Sequence, residues 1–175
     1  AKILMLIGSQ QYLCTGSLVN TTNNDCQPYL LTAAHCGEGA TTSNFNQWVF
    51  YFNYEASSCN GGESGSQNQT ITGCQLISES VEQWPPDGSD FLLLKLNKDV
   101  PDSYKPYYNG WSRMTNASSS GVGIHHPGGR NKKISTYTSS LISYYTTHWL
   151  VYWAETQTNH SVSAGGSSGS PLFNS

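Results

Sequence analysis

Short apolar segments, rich in aromatic and β-branched residues, recur along this chain and are separated by polar or glycine-rich turns. The clearest of them are residues 1–7, 29–32, 48–52, 91–96 and 149–153. No window repeats apolar residues at helical spacing for long, and the one helical turn that we expect lies around residues 33–36. Segments of this length and composition are typical of strands, so the pattern predicts an all-β fold of the sandwich or barrel type.

Neutral polar residues take the place of most of the usual surface charge. Only 11% of the residues are charged, the net charge is −3, and neither sign forms a long run. A surface of this kind offers little attraction to nucleic acid or to an anionic membrane. No apolar run approaches the roughly 18 residues that a membrane helix needs. We therefore expect no nucleic-acid partner and no membrane partner.

The cysteine pattern indicates disulfides and not a metal site. The five cysteines include no C-x-x-C pair, and they are Cys14, Cys26, Cys36, Cys59 and Cys74. Zinc ligands usually follow such close spacing, so we expect no metal and no other cofactor. Disulfides form in oxidising compartments, which predicts a secreted, extracellular protein. The odd number leaves one thiol that is either free or bonded outside this chain.

The segment Gly166-Ser167-Ser168-Gly169-Ser170-Pro171 places a serine between glycines. Glycines permit a tight turn that exposes the Ser168 hydroxyl and points neighbouring N–H groups one way. The N–H groups of Gly166 and Ser168 would then form an oxyanion hole for a tetrahedral intermediate. By itself, a segment rich in Gly and Ser is more often a flexible loop, so this interpretation needs support from other residues.

Two polar residues at the ends of apolar segments supply that support. His35 follows a buried strand and two alanines, next to a cysteine that could anchor its turn. Asp90 opens a strongly apolar strand, where a partly buried carboxylate needs a hydrogen-bond donor. The simpler interpretations are a hydrogen-bonded core histidine for His35 and a turn residue that caps a strand for Asp90.

The order of these three residues favours the catalytic interpretation. His35, Asp90 and Ser168 follow one another at spacings of 55 and 78 residues, in the chain order of the trypsin-like triad. The α/β-hydrolase order is different, and the G-x-S-x-G elbow of that fold is not matched because position 170 is serine. The order predicts a general base, an orienting acid and a nucleophile that come from different loops.

Further segments carry a likeness to one family along almost the whole chain. They are residues 14–20, 29–36, 48–54, 90–94, 123–127, 147–148 and 166–171. In these segments the chain resembles the bacterial lysyl endopeptidases and related secreted trypsin-like serine peptidases. The resemblance implies two six-stranded antiparallel β-barrels of the trypsin-like type, the second incomplete in this chain. Residues 1–104 would form the N-terminal barrel and residues 105–175 the truncated C-terminal barrel.

The resemblance also implies a role for individual residues. His35 would be the general base, Asp90 its orienting acid and Ser168 the nucleophile. Gly166 and Ser168 match the oxyanion-hole positions, as the residues themselves suggested. Cys14 and Cys36 match a disulfide of the family across the histidine loop. A Cys59–Cys74 pair would close a Gly/Ser-rich loop, the alternative being that Cys26 or Cys59 bonds to a segment outside this chain.

Three positions depart from known patterns and bear on activation and specificity. Trypsin has an aspartate before its nucleophile that pairs with a new N-terminus, whereas this chain has Ser167. We therefore expect an oxyanion hole that forms without a terminal ammonium group. Trypsin has its pocket acid where this chain has Val162, and lysyl endopeptidases share a glutamate where it has Ala164. Cleavage after Lys or other basic residues is thus an expectation from the family with one supporting acid absent.

The sequence predicts a secreted, monomeric serine endopeptidase that hydrolyses polypeptide substrates through an acyl-enzyme. The alternatives are a non-catalytic trypsin-like binding or adhesion module, or an inactive fragment. A peptidase of different specificity, such as one that cuts after glutamate or small residues, is a further alternative.

Overall fold

Strands dominate the computed structural model, which describes residues 1–58, 64–81, 88–145, 147–155 and 161–174. In chain order the strands of the described residues are β1 Lys2–Ile7, β2 Gln10–Thr15, β3 Ser17–Leu18, β4 Tyr29–Ala33, β5 Val49–Tyr51, β6 Thr70–Thr72, β7 Cys74–Ser80, β8 Phe91–Leu96, β9 Gly121–His125, β10 Lys133–Tyr137, β11 Ile142–Tyr144, β12 His148–Leu150 and β13 Leu172–Asn174. One short helix, α1 (Thr42–Phe45), and the 3₁₀ turns Ala34–Gly37, Asp102–Tyr104 and Pro127–Gly129 accompany them. The predicted all-β class is confirmed.

The strands form four sheets. Two have four strands, in the orders β2-β1-β5-β6 and β3-β4-β8-β7, one has the order β10-β9-β13, and β11 pairs with β12. All of these pairings are antiparallel. Among the described residues, no sheet combines strands from before residue 104 with strands from after it.

Within the described residues these sheets stay open, so the closed six-stranded barrels of our prediction are not observed. The chain passes from one four-stranded sheet to the other at two sharp corners, between β2 and β3 and between β6 and β7. At the second corner Gly73 has a φ of +88°, and a Cβ there would lie 2.5 Å from Asn97 Nδ2. Strands that switch sheets at such corners wrap two sheets around one core without a continuous ladder.

The hydrophobic core lies between the two four-stranded sheets. Strand β8 contributes Leu92, Leu94 and Leu96 from one face, and β1 contributes Ile3 and Met5. This alternation follows from the period of two along a strand. All buried members of this core cluster have residue numbers of 100 or lower. The core thus supports the elements that carry His35 and Asp90.

Some elements differ from the sequence predictions in extent. The strand expected at residues 149–153 spans His148–Leu150, and the helical turn expected around residues 33–36 is the 3₁₀ turn Ala34–Gly37. Helix α1 was not predicted, because four residues are too few to show a helical period. Thr41 caps it, since its Oγ1 accepts a hydrogen bond from Asn44 N–H. The part of the chain that is described contains no helix with the length and apolar character needed to span a bilayer.

The suggested Cys59–Cys74 disulfide is not found, because Cys74 is free. Cys74 is a free thiol in the core, and burial raises its pKa to about 12. It therefore stays protonated and packs as a small apolar side chain. Cys26 is free and exposed, and Cys59 lies outside the described residues.

Candidate active site

His35 projects from a short turn that is fixed on both sides. Strand β4 leads into the 3₁₀ turn Ala34–Gly37, in which Ala34 and Cys36 are buried while the side chain of His35 is 54% exposed. A disulfide joins Cys36 to Cys14 at the end of β2, as the resemblance implied, with a Cα–Cα distance of 6.5 Å. The turn is thus tied to the first sheet, and the imidazole is its accessible group.

Asp90 receives two hydrogen bonds from His35. Strands β4 and β8 pair so that Ala33 lies opposite Phe91, which brings the residues next to them together. Asp90 Oδ1 accepts from the His35 backbone N–H at 2.9 Å, and Oδ2 lies 2.7 Å from His35 Nδ1. The backbone carbonyl of Asp90 also accepts from Ala34 N–H at 3.0 Å. The φ of Asp90 is +50°, in the left-handed region that aspartate enters more readily than most residues.

These contacts determine which imidazole nitrogen carries the proton. A carboxylate is only an acceptor, so Nδ1 must be the donor. In the neutral ring Nε2 then has no proton and can accept one. The His35–Asp90 pair is therefore arranged as a base whose free nitrogen faces away from the acid.

Ser168 lies in a turn that packs closely against the end of β4. Gly166 and Gly169, on either side of it, have φ values of +91° and +77°. A Cβ on Gly169 would overlap Thr32 Oγ1 and would lie 2.7 Å from Ala33 N. The absence of a side chain at position 169 thus allows the serine turn to approach the strand that leads to His35.

Thr15 clamps this turn and was not singled out as a site residue from the sequence. Its backbone N–H donates to the Ser168 carbonyl at 2.8 Å, and its hydroxyl donates to the Gly166 carbonyl at 2.8 Å. The carbonyl of Thr15 accepts from Thr32 Oγ1 at 2.8 Å. Only its position beside Cys14 in a segment of family likeness could have suggested a role. Thr15 thereby links the serine turn to both four-stranded sheets.

His35 and Ser168 line one cavity of about 380 Å³, together with apolar side chains of β1 and β2. In the described part of the chain, no hydrogen bond joins the Ser168 hydroxyl to His35, and the N–H groups of Gly166 and Ser168 donate to no other described residue. Catalytic hydrogen bonds are often long in a free enzyme and tighten when substrate binds. The two unused N–H groups remain available to an incoming oxygen atom.

His35 also lines a second cavity, of about 520 Å³. His35 and Asp90 line it together with the carboxylates of Glu38 and Glu79, and Phe45 is among the apolar side chains of its wall. A chain bound here would meet an apolar wall and acidic groups.

Val162 and Ala164, the two positions on which the sequence-based expectation about specificity rested, are both exposed. Neither carries an acid, and no group of three or more metal-ligating side chains occurs among the residues that the structure describes.

His125, the last residue of β9, and His126, which follows it, are both buried. Their exposures are 3% and 2%. His125 Nδ1 lies 2.7 Å from Ser167 Oγ, and its Nε2 lies 3.0 Å from Ser135 Oγ. His126 Nδ1 donates to the Arg130 carbonyl at 2.9 Å. Burial lowers the pKa of both rings, that of His126 to about 3. Both are therefore neutral at physiological pH.

We expect His126 to make the fold sensitive to acid. Its pKa is 6.5 when exposed and about 3 in the folded chain, so the unfolded state binds more protons between these values. The contribution of a neutral His126 to the free energy of unfolding is therefore present above pH 6.5 and is lost as the pH falls toward 3. His126 alone should lower the free energy of unfolding by about 2 kcal/mol between about pH 7 and about pH 5. Urea denaturation at a series of pH values measures this quantity.

The variant His126→Asn is the control, because its amide N–H can still donate to Arg130 but does not titrate. Its free energy of unfolding should fall less than that of the wild type over the same range, by about 2 kcal/mol. Equal acid sensitivity in the two proteins would contradict this role for His126.

Comparison with known proteins identifies the family and the fold of the chain. Residues 1–175 match the family described as lysyl endopeptidase, C-terminal domain. The lysyl endopeptidase of Pseudomonas aeruginosa is 32% identical in a match that covers 93% of this chain and 34% of that protein. The chain thus spans about a third of the length of this relative.

Solved structures agree on the fold at low sequence identity. The thermostable serine protease AL20, from an extremophilic microorganism, has a TM-score of 0.68 and 14% identity, covering 99% of this chain and 77% of that one. The protease Anisep from Arthrobacter nicotinovorans has a TM-score of 0.62 and 18% identity, with coverage of 99% and 76%. At these identities the likeness concerns the fold alone.

Proposed function

This chain belongs to the lysyl endopeptidase C-terminal domain family, and from that premise we propose that it is the catalytic part of a serine endopeptidase. The observation that carries the proposal is the hydrogen bond between His35 Nδ1 and Asp90 Oδ2, with His35 and Ser168 on the same cavity. His35 is the general base, Asp90 the acid that orients it, and Ser168 the nucleophile.

The reaction is a two-step acyl transfer. His35 Nε2 takes the proton of the Ser168 hydroxyl as Oγ attacks the peptide carbonyl, and a tetrahedral intermediate forms. The protonated His35 then donates to the leaving amine, and the acyl-enzyme remains. Water, deprotonated by the same nitrogen, hydrolyses the ester and restores Ser168. Asp90 keeps the proton on Nδ1 throughout and stabilises the imidazolium that forms.

The N–H groups of Gly166 and Ser168 are the proposed oxyanion hole. Donors aimed at the developing negative charge stabilise the transition state more than the ground state, and removing one such donor costs about 10²- to 10³-fold in kcat. Each of these N–H groups shares a peptide plane with the carbonyl of the preceding residue, and both carbonyls are held: that of Gly165 accepts from Gly128 N–H at 2.6 Å, and that of Ser167 accepts from Ser170 N–H at 3.0 Å.

The substrates that we propose are polypeptides, cleaved by a monomeric enzyme outside the cell. The disulfide supports an oxidising compartment. Cleavage after lysine or arginine follows the family, although Val162 and Ala164 supply no acid. We further propose that residues 1–104 and 105–175 form two barrels of the trypsin-like type in the complete protein, with the active site between them.

Labelling with a fluorophosphonate tests the proposal, because this probe phosphonylates an activated serine. We expect the full-length protein to react at Ser168, as located by mass spectrometry of its peptides. A His35→Ala variant should react at least about 100-fold more slowly, since general-base catalysis typically contributes that much. A fold without turnover would show neither labelling nor hydrolysis of a peptide library, and that outcome would favour the binding-module alternative.

The cleavage products of the same library report specificity. Products that end in lysine or arginine would support the family preference. Products that end in glutamate or in small residues would leave the peptidase in place and would reject the basic preference.

A further inference from the structure

His125 lies at the centre of a buried series of hydrogen bonds that ends at Ala164 on one side and at Val162 on the other, both shortly before the serine turn. Its Nδ1 lies 2.7 Å from the hydroxyl of Ser167, the residue before the proposed nucleophile, and that hydroxyl accepts from Ala164 N–H at 3.2 Å. Its Nε2 lies 3.0 Å from Ser135 Oγ, which donates to the Val162 carbonyl at 3.0 Å. His125, Ser135 and Ser167 are at most 8% exposed.

The direction of every hydrogen bond in this chain is determined by elementary donor counting. A carbonyl only accepts, so the single Ser135 proton points to Val162, and Ser135 Oγ must accept from Nε2–H. The neutral imidazole then has its acceptor at Nδ1, and the Ser167 hydroxyl donates to it. The Ser167 oxygen in turn accepts from Ala164 N–H. Each group uses one donor and one acceptor, and only the neutral Nε2–H tautomer satisfies all of them.

Protonation of His125 would break this order. Nδ1–H would then point at Ser167 Oγ, and the hydroxyl proton of Ser167 would lose its acceptor in a buried place. Leaving a buried donor without a partner costs about 1–3 kcal/mol. Burial also lowers the pKa of His125, which favours the neutral ring.

We propose that His125 is a positioning residue for the oxyanion hole: through Ser167 and Ser135 it holds the backbone from Val162 to Ser168 in the conformation that points the Gly166 and Ser168 N–H groups at one place. The inference rests on the proposed function, because it concerns the same site. In trypsin the residue before the nucleophile is an aspartate that pairs with a terminal ammonium. Here that residue is Ser167, which takes part in hydrogen bonds among three neutral side chains. The turn is therefore restrained from within the fold.

Substitutions of the three side chains in this series of hydrogen bonds test the proposal. His125→Leu removes both hydrogen bonds, whereas His125→Gln keeps one acceptor and one donor on a flexible side chain. Ser167→Ala removes the bonds of the Ser167 hydroxyl to His125 Nδ1 and to Ala164 N–H, with little change in volume. Because a displacement of about 1 Å in an active site can cost about 100-fold, we expect His125→Leu and Ser167→Ala to lower kcat by about 10- to 100-fold with KM within about threefold.

The Gln variant and the double variant distinguish positioning from a general loss of stability. Measured as log kcat, the loss in His125→Gln should be smaller than the loss in His125→Leu by at least about a third. The double variant His125→Leu/Ser167→Ala should be no slower than the slower single variant, because both substitutions act on one series of hydrogen bonds. The measurements are kcat and KM for a peptide ester, at a temperature where thermal unfolding shows each variant to be folded. If His125→Leu does not fold, Ser167→Ala and Ser135→Ala decide the question alone.

The outcomes separate this inference from the proposed function. Wild-type protein that neither hydrolyses peptides nor labels at Ser168 would contradict the proposed function. Wild-type protein that does both, with kcat in Ser167→Ala and His125→Leu within about twofold of its own value, would overturn only the positioning role of His125.

Discussion

Ser168→Ala should lower kcat/KM for peptide hydrolysis by about 10⁵-fold, since removing a catalytic serine leaves only binding and oxyanion stabilisation to assist attack by water. The structure indicates that the loss should be one of chemistry and not of folding. Among the described residues the contact that holds Ser168 is made by its backbone, whose carbonyl accepts from Thr15 N–H at 2.8 Å. Alanine preserves that bond, so the midpoint of thermal unfolding should stay within about 3 °C of the wild type.

Ser170→Ala is a suitable matched control, because it removes a hydroxyl from the same turn. The bond that the structure shows for Ser170 is also made by its backbone, from its N–H to the Ser167 carbonyl at 3.0 Å. Its kcat/KM should stay within about threefold of the wild type. Near-normal turnover in Ser168→Ala, measured on protein shown to be folded, would refute the assignment of the nucleophile.

Asp90→Asn should lower kcat by about 10⁴-fold while KM changes little, because the substitution reverses one hydrogen bond in the proposed triad. The Asp90 carboxylate now accepts from two His35 donors, the backbone N–H and Nδ1. In the variant, the amide oxygen keeps the bond to the backbone N–H, and the amide nitrogen then faces Nδ1 as a donor. His35 must respond with Nδ1 as the acceptor and the proton on Nε2, and such a ring cannot accept the proton of Ser168.

Asparagine has nearly the same size and shape as aspartate. The substitution Asp90→Asn therefore tests the charge of the side chain and the location of the proton on His35. Asp102→Asn is the matched control, since Asp102 is an exposed residue in a separate 3₁₀ turn. It should leave kcat within about twofold of the wild type. Should Asp90→Asn retain more than about a tenth of wild-type kcat, the orienting role of Asp90 would be excluded.

These two predictions depend on different levels of structure. The effect of Ser168→Ala follows from the chemistry of one side chain in the serine turn. The effect of Asp90→Asn follows from a pair of hydrogen bonds that exist because β4 and β8 pair in one register, with Ala33 opposite Phe91. A shift of one residue in that register would move the carboxylate to the other face of the sheet.

Local patterns were sufficient for several features. The apolar composition of residues 91–96 predicted a strand, and Leu92, Leu94 and Leu96 are at most 3% exposed. The small residues before His35 predicted a tight turn, which is the 3₁₀ turn Ala34–Gly37. The glycines around Ser168 predicted an unusual backbone, and both have positive φ. The roles of His35, Asp90 and Ser168 in catalysis stay predictions that the experiments above test.

Other features could not be predicted because they lack a local signal. The open sheets depend on corners at residues 16 and 73, where the chain leaves one sheet for another. A list of strands does not specify such corners. The clamp by Thr15 spans 151 residues to Gly166, and the bond from His125 to Ser167 spans 42.

The sequence alone determined the strand content, the backbone freedom of the serine turn and the residue types available for acyl transfer, because each depends on side chains adjacent in the chain. Tertiary structure decided which of those side chains meet: Asp90 with His35, Thr15 with the serine turn, and His125 with Ser167. The physical reason is that a buried donor must find an acceptor wherever packing brings one, and that packing is set by the register and crossing of whole strands.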